Sequence, residues 1–360
     1  MIPVTKPFLP PIEEYNTLVQ EIFVREWLTN NGPLVNDLEL QLKQRLQLDH
    51  LLYVGNGTIA LQIAIKALNL KGKVITTPFS YVATSSSLVW EGCEPVYVDI
   101  EPDGFNIDAS KIEAAITPEV TAIVATHCFG IPCDVQAIQV IADRHNLKVI
   151  YDAAHAFGTT VHGKSIFEFG DISTCSFHAT KLFHTVEGGM VVTKSPDLLR
   201  RMSKMRNFGH DGPEHFDGVG INGKNSEFHA AMGIVNLRYL DDILERRRAQ
   251  CSFYSELLAN MDLTVPDATN EAWNCAYFPV VFMTETQCLG VKAELEKAEI
   301  FARRYFYPSL NTVNDWGAGE CPQSEGVAQR ILCLPLFHSL SFDEMKFIVR
   351  LLKRKLRYGS

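Results

Sequence analysis

Through the first two-thirds of this 360-residue chain, short apolar runs alternate with helix-patterned segments. Leu51-Leu52-Tyr53-Val54 is followed by the small turn Gly55-Asn56-Gly57-Thr58, and residues 59–68 then read as a helix with an apolar face. Residues 73–76, 95–98, 122–125 and 148–151 repeat the strand pattern, each with helical spacing nearby. Strands alternating with helices predict an α/β fold, a largely parallel sheet covered on both faces. In such sheets ligands sit beyond the carboxyl ends of the strands. Residues 55–58, 78–81 and 152–155 all fall at such ends.

After Leu240 the texture changes. Residues 241–248 form a charged helical stretch whose apolar spacing runs on towards Leu258. Residues 277–283 read as a strand and 284–300 as a helix with its start. The tail carries Leu334-Pro335-Leu336 and a final amphipathic helix around residues 342–356. The expectation is a large domain over residues 1–240, N-terminal segment included, and a smaller α+β domain over 241–360.

Composition narrows the function classes. With 33 Lys+Arg against 42 Asp+Glu, the formal charge is −9, and no long basic run offsets it. Electrostatics weigh against a nucleic-acid partner, although a few backbone N–H groups and one lysine suffice to hold a small anion. No apolar stretch reaches the length of a membrane span. Residues 1–11 hold Pro3, Pro7, Pro10 and Pro11 and no hydrophobic signal core, so a cytoplasmic location is expected. Nine cysteines are scattered without a regular frame, which reads as free thiols in a reducing compartment. His, Cys and acidic residues gather nowhere at metal-ligand spacing.

The chemistry-bearing segment is Ser176-Phe177-His178-Ala179-Thr180-Lys181, followed by Glu187-Gly188-Gly189. Burying a lysine among apolar and aromatic residues penalises its ammonium form and lowers its pKa. A neutral amine is what imine formation with a carbonyl requires. Taken alone, a lysine beside Thr and Leu is most often a solvated surface residue. A second element changes the balance: the apolar run Val149-Ile150-Tyr151 ends in Asp152. Pyridoxal 5′-phosphate (PLP) acts as an electron sink while its ring nitrogen stays protonated, and a buried carboxylate maintains that proton. The competing reading of Asp152 is a cap on the following helix. Gly57 and Thr58, between strand and helix, let backbone approach a phosphate at a helix N-terminus, although short glycine turns are common. Tyr81, in Pro78-Phe79-Ser80-Tyr81, could stack on a flat ring or belong to the core.

In order along the chain, these segments resemble the DegT/StrS family of sugar-nucleotide aminotransferases, PLP enzymes of fold-type I. The resemblance begins at Trp27-Leu28-Thr29-Asn30-Asn31-Gly32-Pro33 and continues through Gly57-Thr58-Ile59-Ala60-Leu61 and Glu94-Pro95-Val96-Tyr97-Val98-Asp99. It takes in His127-Cys128-Phe129-Gly130-Ile131-Pro132, the segments around Asp152, Lys181 and Glu187, Arg206-Asn207-Phe208-Gly209, and residues 304–308 and 332–336. It implies an aspartate-aminotransferase-like large domain with a mainly parallel central sheet, plus a smaller C-terminal α+β domain. It also implies Lys181 as the Schiff-base lysine and proton-moving base, Asp152 on the pyridinium nitrogen, and Tyr81 over the ring. Gly57, Thr58 and Ser176 would hold the phosphate. His155, where relatives often carry Gln, would approach the phenolic oxygen. Asn222 matches a phosphate-binding Asn donated by the neighbouring subunit, which implies a homodimer with shared active sites. Lys224 stands where an Arg is common, and replaces a bidentate fork with a point charge.

The implied reaction moves an amino group from L-glutamate to C4 of a nucleotide-linked 4-keto-6-deoxy sugar. The segment from Ser176 to Lys181 looks like that of C4-aminating members, whereas C3-aminating members tend to carry Pro-Gly-Lys. The resemblance points to dTDP-4-dehydro-6-deoxy-glucose as acceptor and dTDP-4-amino-4,6-dideoxy-glucose as product, a precursor for O-antigen in lipopolysaccharide. A GDP-perosamine-type synthase or a C3-aminating enzyme is the alternative. Two further readings are a PLP-dependent sugar dehydratase, in which a histidine resembles the position of Lys181, and a non-catalytic homologue. Against both stands the presence of Asp152, Ser176 and Lys181 together.

Overall fold

Among the described residues of the computed structural model, 1–313 and 316–358, seven strands form one sheet. They are β1 (Leu51–Val54), β2 (Gly72–Thr76), β3 (Cys93–Tyr97), β4 (Val120–Thr126), β5 (Lys148–Asp152), β6 (Ile172–Ser176) and β7 (Gly189–Val192). Their order is β1-β7-β6-β5-β4-β2-β3, and every pairing is parallel except the two made by β7. β1, β4 and β5 are buried on both faces, which is why they read as continuous apolar runs rather than alternating ones. β6 does not stand out in sequence because Ser173 and Thr174 are polar. Both are nevertheless buried, with their hydroxyls bonded to the carbonyls of Phe169 (2.9 Å) and Tyr151 (3.3 Å).

The helix Gly57–Ala67 follows β1 directly. Asn56 caps it by accepting from the Ile59 N–H at 2.8 Å. Ala60, Leu61, Ile63, Ala64 and Ile65 bury the helix against β6 and β7. Strand register then brings the site together. Gly189 lies between Val54 and Ser176, while Asp152 lies between Thr126 and Thr174. The carboxyl ends of β1, β5 and β6 therefore open on one edge, where β7 begins.

A second core forms towards the C-terminus. Helices Leu240–Leu258, Glu285–Lys297 and Phe342–Tyr358 pack with an antiparallel pair, β8 (Phe278–Val281) and β9 (Ile331–Leu334). Thr284 caps the second helix, accepting from Gln287 N–H at 3.2 Å. That helix stops at Lys297 instead of running to residue 300, because Glu299 turns left-handed (φ 56°) and Ile300–Phe301 leaves as a strand. This strand pairs parallel with Ile2–Pro3. The N-terminal segment, grouped above with residues 1–240, thus packs its Ile2 side chain on the C-terminal core. All nine cysteines are free and buried. Among the described residues, no helix is long and apolar enough to cross a membrane, and no three His, Cys, Asp or Glu side chains are placed to hold a metal.

Candidate active site

Lys181 sits on the loop that leaves β6 and returns as β7. The loop is closed at its base by hydrogen bonds from Phe177 N–H to Gly188 O (2.7 Å) and from Thr185 N–H to Phe177 O (2.9 Å). Phe177 and Phe183 are buried, and Phe183 stacks on Phe157 at 4.5 Å. These anchors hold Lys181 over the sheet edge, with Nζ 5.9 Å from the centre of the Tyr277 ring. Removal from water lowers its pKa from the ordinary 10.5 to about 8, against the opposing pull of Asp152.

Asp152 ends β5 and faces the same cavity of about 460 Å³. No helix follows it, so it caps none. Its Oδ1 accepts from Ala154 N–H (3.1 Å) in a turn, and its Oδ2 accepts from the Thr84 hydroxyl (2.6 Å). Burial raises the carboxyl pKa, while Thr84, Ala154 and Lys181 pull it down. His155 is buried against Phe306 (5.8 Å) and Tyr277 (4.8 Å), and burial holds it well below 6.5 and therefore neutral. Its Nδ1 has no hydrogen-bond partner among the described residues.

At the head of the Gly57–Ala67 helix, a side chain on Gly57 would come within 2.9 Å of Ser176 Cβ and 3.3 Å of its Oγ. Glycine is what lets the first helical turn approach Ser176. The Gly57 and Thr58 N–H groups donate to no described residue, as expected of a helix start. Tyr81 occupies the cap position of the helix Val82–Trp90 and is 53% exposed, so it is not a core aromatic.

The structure brings Gly57, Thr58, Tyr81, Asp152, His155, Ser176 and Lys181 to one cavity and leaves Asn222 outside its lining. Asn222 is exposed and bridges to Asn207, while the adjacent Gly223 carbonyl accepts from Gly55 N–H at 2.8 Å. Several residues of the site escape sequence reasoning. Thr84, which is buried behind the lining and holds Asp152, follows Tyr81 by three residues, and only that helical spacing hints at a shared face. Tyr277, Arg303, Tyr305 and Phe306 arrive from the C-terminal part; residues 304–308 carry part of the resemblance, but no local pattern ties these four to the site. Their docking rests on Asn274, whose amide donates to the carbonyls of His155 (2.7 Å) and Phe157 (2.9 Å), and on Trp273, whose indole donates to Phe129 O (2.9 Å).

This is the fold of the type I PLP-dependent aminotransferases. It matches a crystal structure of DesI in the presence of its TDP-sugar product, with a TM-score of 0.95 and 32% identity over 99% of this chain and 93% of that one. The chain belongs to the DegT/DnrJ/EryC1/StrS aminotransferase family, whose model matches residues 11–353. It is 41% identical over 355 residues to the dTDP-4-amino-4,6-dideoxy-D-glucose transaminase of Shigella dysenteriae, covering 96% of each chain. It is 38% identical over 369 residues to the Escherichia coli enzyme of the same name, covering 99% of each.

The residues of the cavity suit the cofactor of that family. Asp152 is buried without an ion-pair partner among the described residues, and a pyridinium N–H would supply both the charge and the donor. A ligand's polar atom would satisfy the orphaned His155 Nδ1. The close approach at Gly57 leaves two N–H groups beside the Ser176 hydroxyl, a donor set that suits a phosphate.

Proposed function

We propose that this chain transfers an amino group from L-glutamate to C4 of dTDP-4-dehydro-6-deoxy-glucose, forming dTDP-4-amino-4,6-dideoxy-glucose. The observation that carries the reading is Lys181 and Asp152 on one cavity, the amine brought to a pKa of about 8 and the acid buried. Bound there, PLP supplies the carbonyl that takes the amino group and the ring that takes up electrons. Asp152, fixed by the Thr84 hydroxyl and Ala154 N–H, would keep a proton on the ring nitrogen. Lys181 carries a proton to and from the reacting substrate carbon as general base and acid. Gly57 and Thr58 N–H and the Ser176 hydroxyl would hold the phosphate, Tyr81 would cover the ring, and neutral His155 would approach the phenolic oxygen. Phe306 and Tyr277 wall off water on the side of His155.

The reading includes a homodimer in which Asn222 of each chain completes the phosphate site of the other. Its support is the exposure of Asn222 outside its own cavity. A cytoplasmic enzyme making a precursor for surface glycans such as O-antigen fits this chemistry. The test is spectroscopic. In PLP-loaded protein the imine absorbance band should disappear on adding L-glutamate and return on adding dTDP-4-dehydro-6-deoxy-glucose, with the amino sugar identified by mass. Recovery with the GDP-linked keto sugar alone would instead make this a perosamine-type enzyme. No response to L-glutamate would reject transamination.

A further inference from the structure

Arg303 and Arg304 are neighbours in sequence with opposite fates. Arg304 is committed to the fold: its guanidinium donates to Glu285 Oε1 (2.8 Å) and Gln329 O (2.8 Å) and lies 3.5 Å from the centre of the Tyr307 ring. Arg303 lines the cavity, makes no ion pair or side-chain hydrogen bond with any described residue, and rests 4.6 Å from the centre of the Tyr305 ring. Its backbone is clamped to β9. Arg303 N–H donates to Cys333 O (3.2 Å), and Cys333 N–H donates to Arg303 O (2.8 Å). Arg303 is exposed, but its backbone is thereby fixed to a buried strand rather than swinging on a free loop.

The other charged groups of the cavity wall are already engaged. Asp152 is hydrogen-bonded at both oxygens, Glu187 faces His178 at 3.5 Å, and Lys181 carries the amine chemistry. Among the described lining residues Arg303 is the unspent cation. A guanidinium laid on an aromatic ring stays flat and presents a fork of donors that matches a group with two oxygens.

We propose that Arg303 receives an oxyanion of the substrate, either a carboxylate of the amino donor or the diphosphate of the sugar nucleotide, and so positions the substrate over Lys181. This rests on the aminotransferase reading above. The test compares Arg303→Gln and Arg303→Lys with wild type as PLP-loaded protein, in two separate half-reactions followed by absorbance. One arm titrates L-glutamate; the other titrates dTDP-4-dehydro-6-deoxy-glucose against amine-loaded enzyme. Calorimetric binding of L-glutamate and of dTDP gives a readout that does not depend on turnover.

Arg303→Gln should raise the half-saturating concentration in at least one arm about tenfold or more, on the scale of a lost charge-assisted hydrogen bond. The maximal rate of that arm should change much less, and Arg303→Lys should recover part of the loss. A defect in the glutamate arm assigns the carboxylate; a defect in the sugar arm, with weaker dTDP binding, assigns the diphosphate. Wild-type saturation and binding in both arms, in variants with unaltered cofactor spectra and melting temperatures, would overturn the proposal. If wild-type protein binds the ligands without turnover, the proposed function fails while the calorimetric comparison still decides the role of Arg303.

Discussion

The hydroxyl of Thr84 donates a 2.6 Å hydrogen bond to Oδ2 of Asp152, and both side chains are buried at one edge of the sheet. Thr84 lies in the first turn of the helix Val82–Trp90, three residues beyond Tyr81. One helical turn thus presents an exposed aromatic to the cavity and holds the buried acid. The bond stabilises the carboxylate against the burial that disfavours it.

Replacing Thr84 with Val keeps the shape and removes the donor. Because Thr84 lowers the Asp152 pKa, its loss should raise that pKa. The acid limb of the kcat/KM–pH profile should then move to higher pH, with a fall of about tenfold near the limb. Thr84→Ser should restore both. An unmoved acid limb in Thr84→Val would show that the bond does not tune the acid.

Lys181→Ala should fold and bind PLP without the imine absorbance band, and should not transaminate. Borohydride reduction of the loaded wild type, followed by peptide mapping, should place the label on Lys181. A label on any other lysine would reject the assignment.

The pH dependence of cofactor capture follows from the Lys181 environment. Its folded pKa lies below the ordinary 10.5, at about 8, so the neutral amine is available at lower pH than on a surface lysine. Capture of PLP by cofactor-free protein should rise about tenfold per pH unit and level off near pH 8. Asp152 raises the Lys181 pKa, so Asp152→Asn should shift the plateau to lower pH. The same variant should lose turnover by roughly a hundredfold or more, as when one electrostatic stabiliser is removed. A capture midpoint near 10.5 in wild type would contradict the desolvation of this lysine.

Shared sites can be tested by complementation. In a mixed dimer of Lys181→Ala and Asn222→Asp chains, one site would carry both lesions and the other neither. Random pairing should return about a quarter of wild-type activity from two nearly inactive parents. If Asn222 served its own chain, every site would hold one lesion and no activity would return. Differential tags confirm that heterodimers are present.

Lys181 and Asp152 could be read from the chain because each belongs to a local pattern. Asp152 closes an apolar run at a strand end, and Lys181 follows Ser176 within one short segment. Gly57 and Thr58 are legible for the same reason, since a strand, a glycine turn and a helix follow one another without interruption. β6 was less legible, because burial of Ser173 and Thr174 depends on carbonyls supplied by other segments.

Sequence by itself therefore determined the α/β alternation, the turn at the head of the Gly57–Ala67 helix, and the pairing of Lys181 and Asp152 as candidate imine-forming lysine and ring-nitrogen acid. Those features depend on neighbours a few residues apart, where hydrophobic period and turn chemistry act directly. Only tertiary structure decided that Thr84 holds Asp152, that Asn222 lies outside its own cavity, and that Arg303 stands on the cavity wall without an ion pair to any described residue. Arg303 lies 122 positions beyond Lys181 in the numbering, and no local period relates them. Their meeting rests on the docking of Trp273 and Asn274 against the sheet edge. The lowered Lys181 pKa has the same origin, because desolvation is set by what the folded chain packs around a group, and composition of the adjoining residues does not specify it.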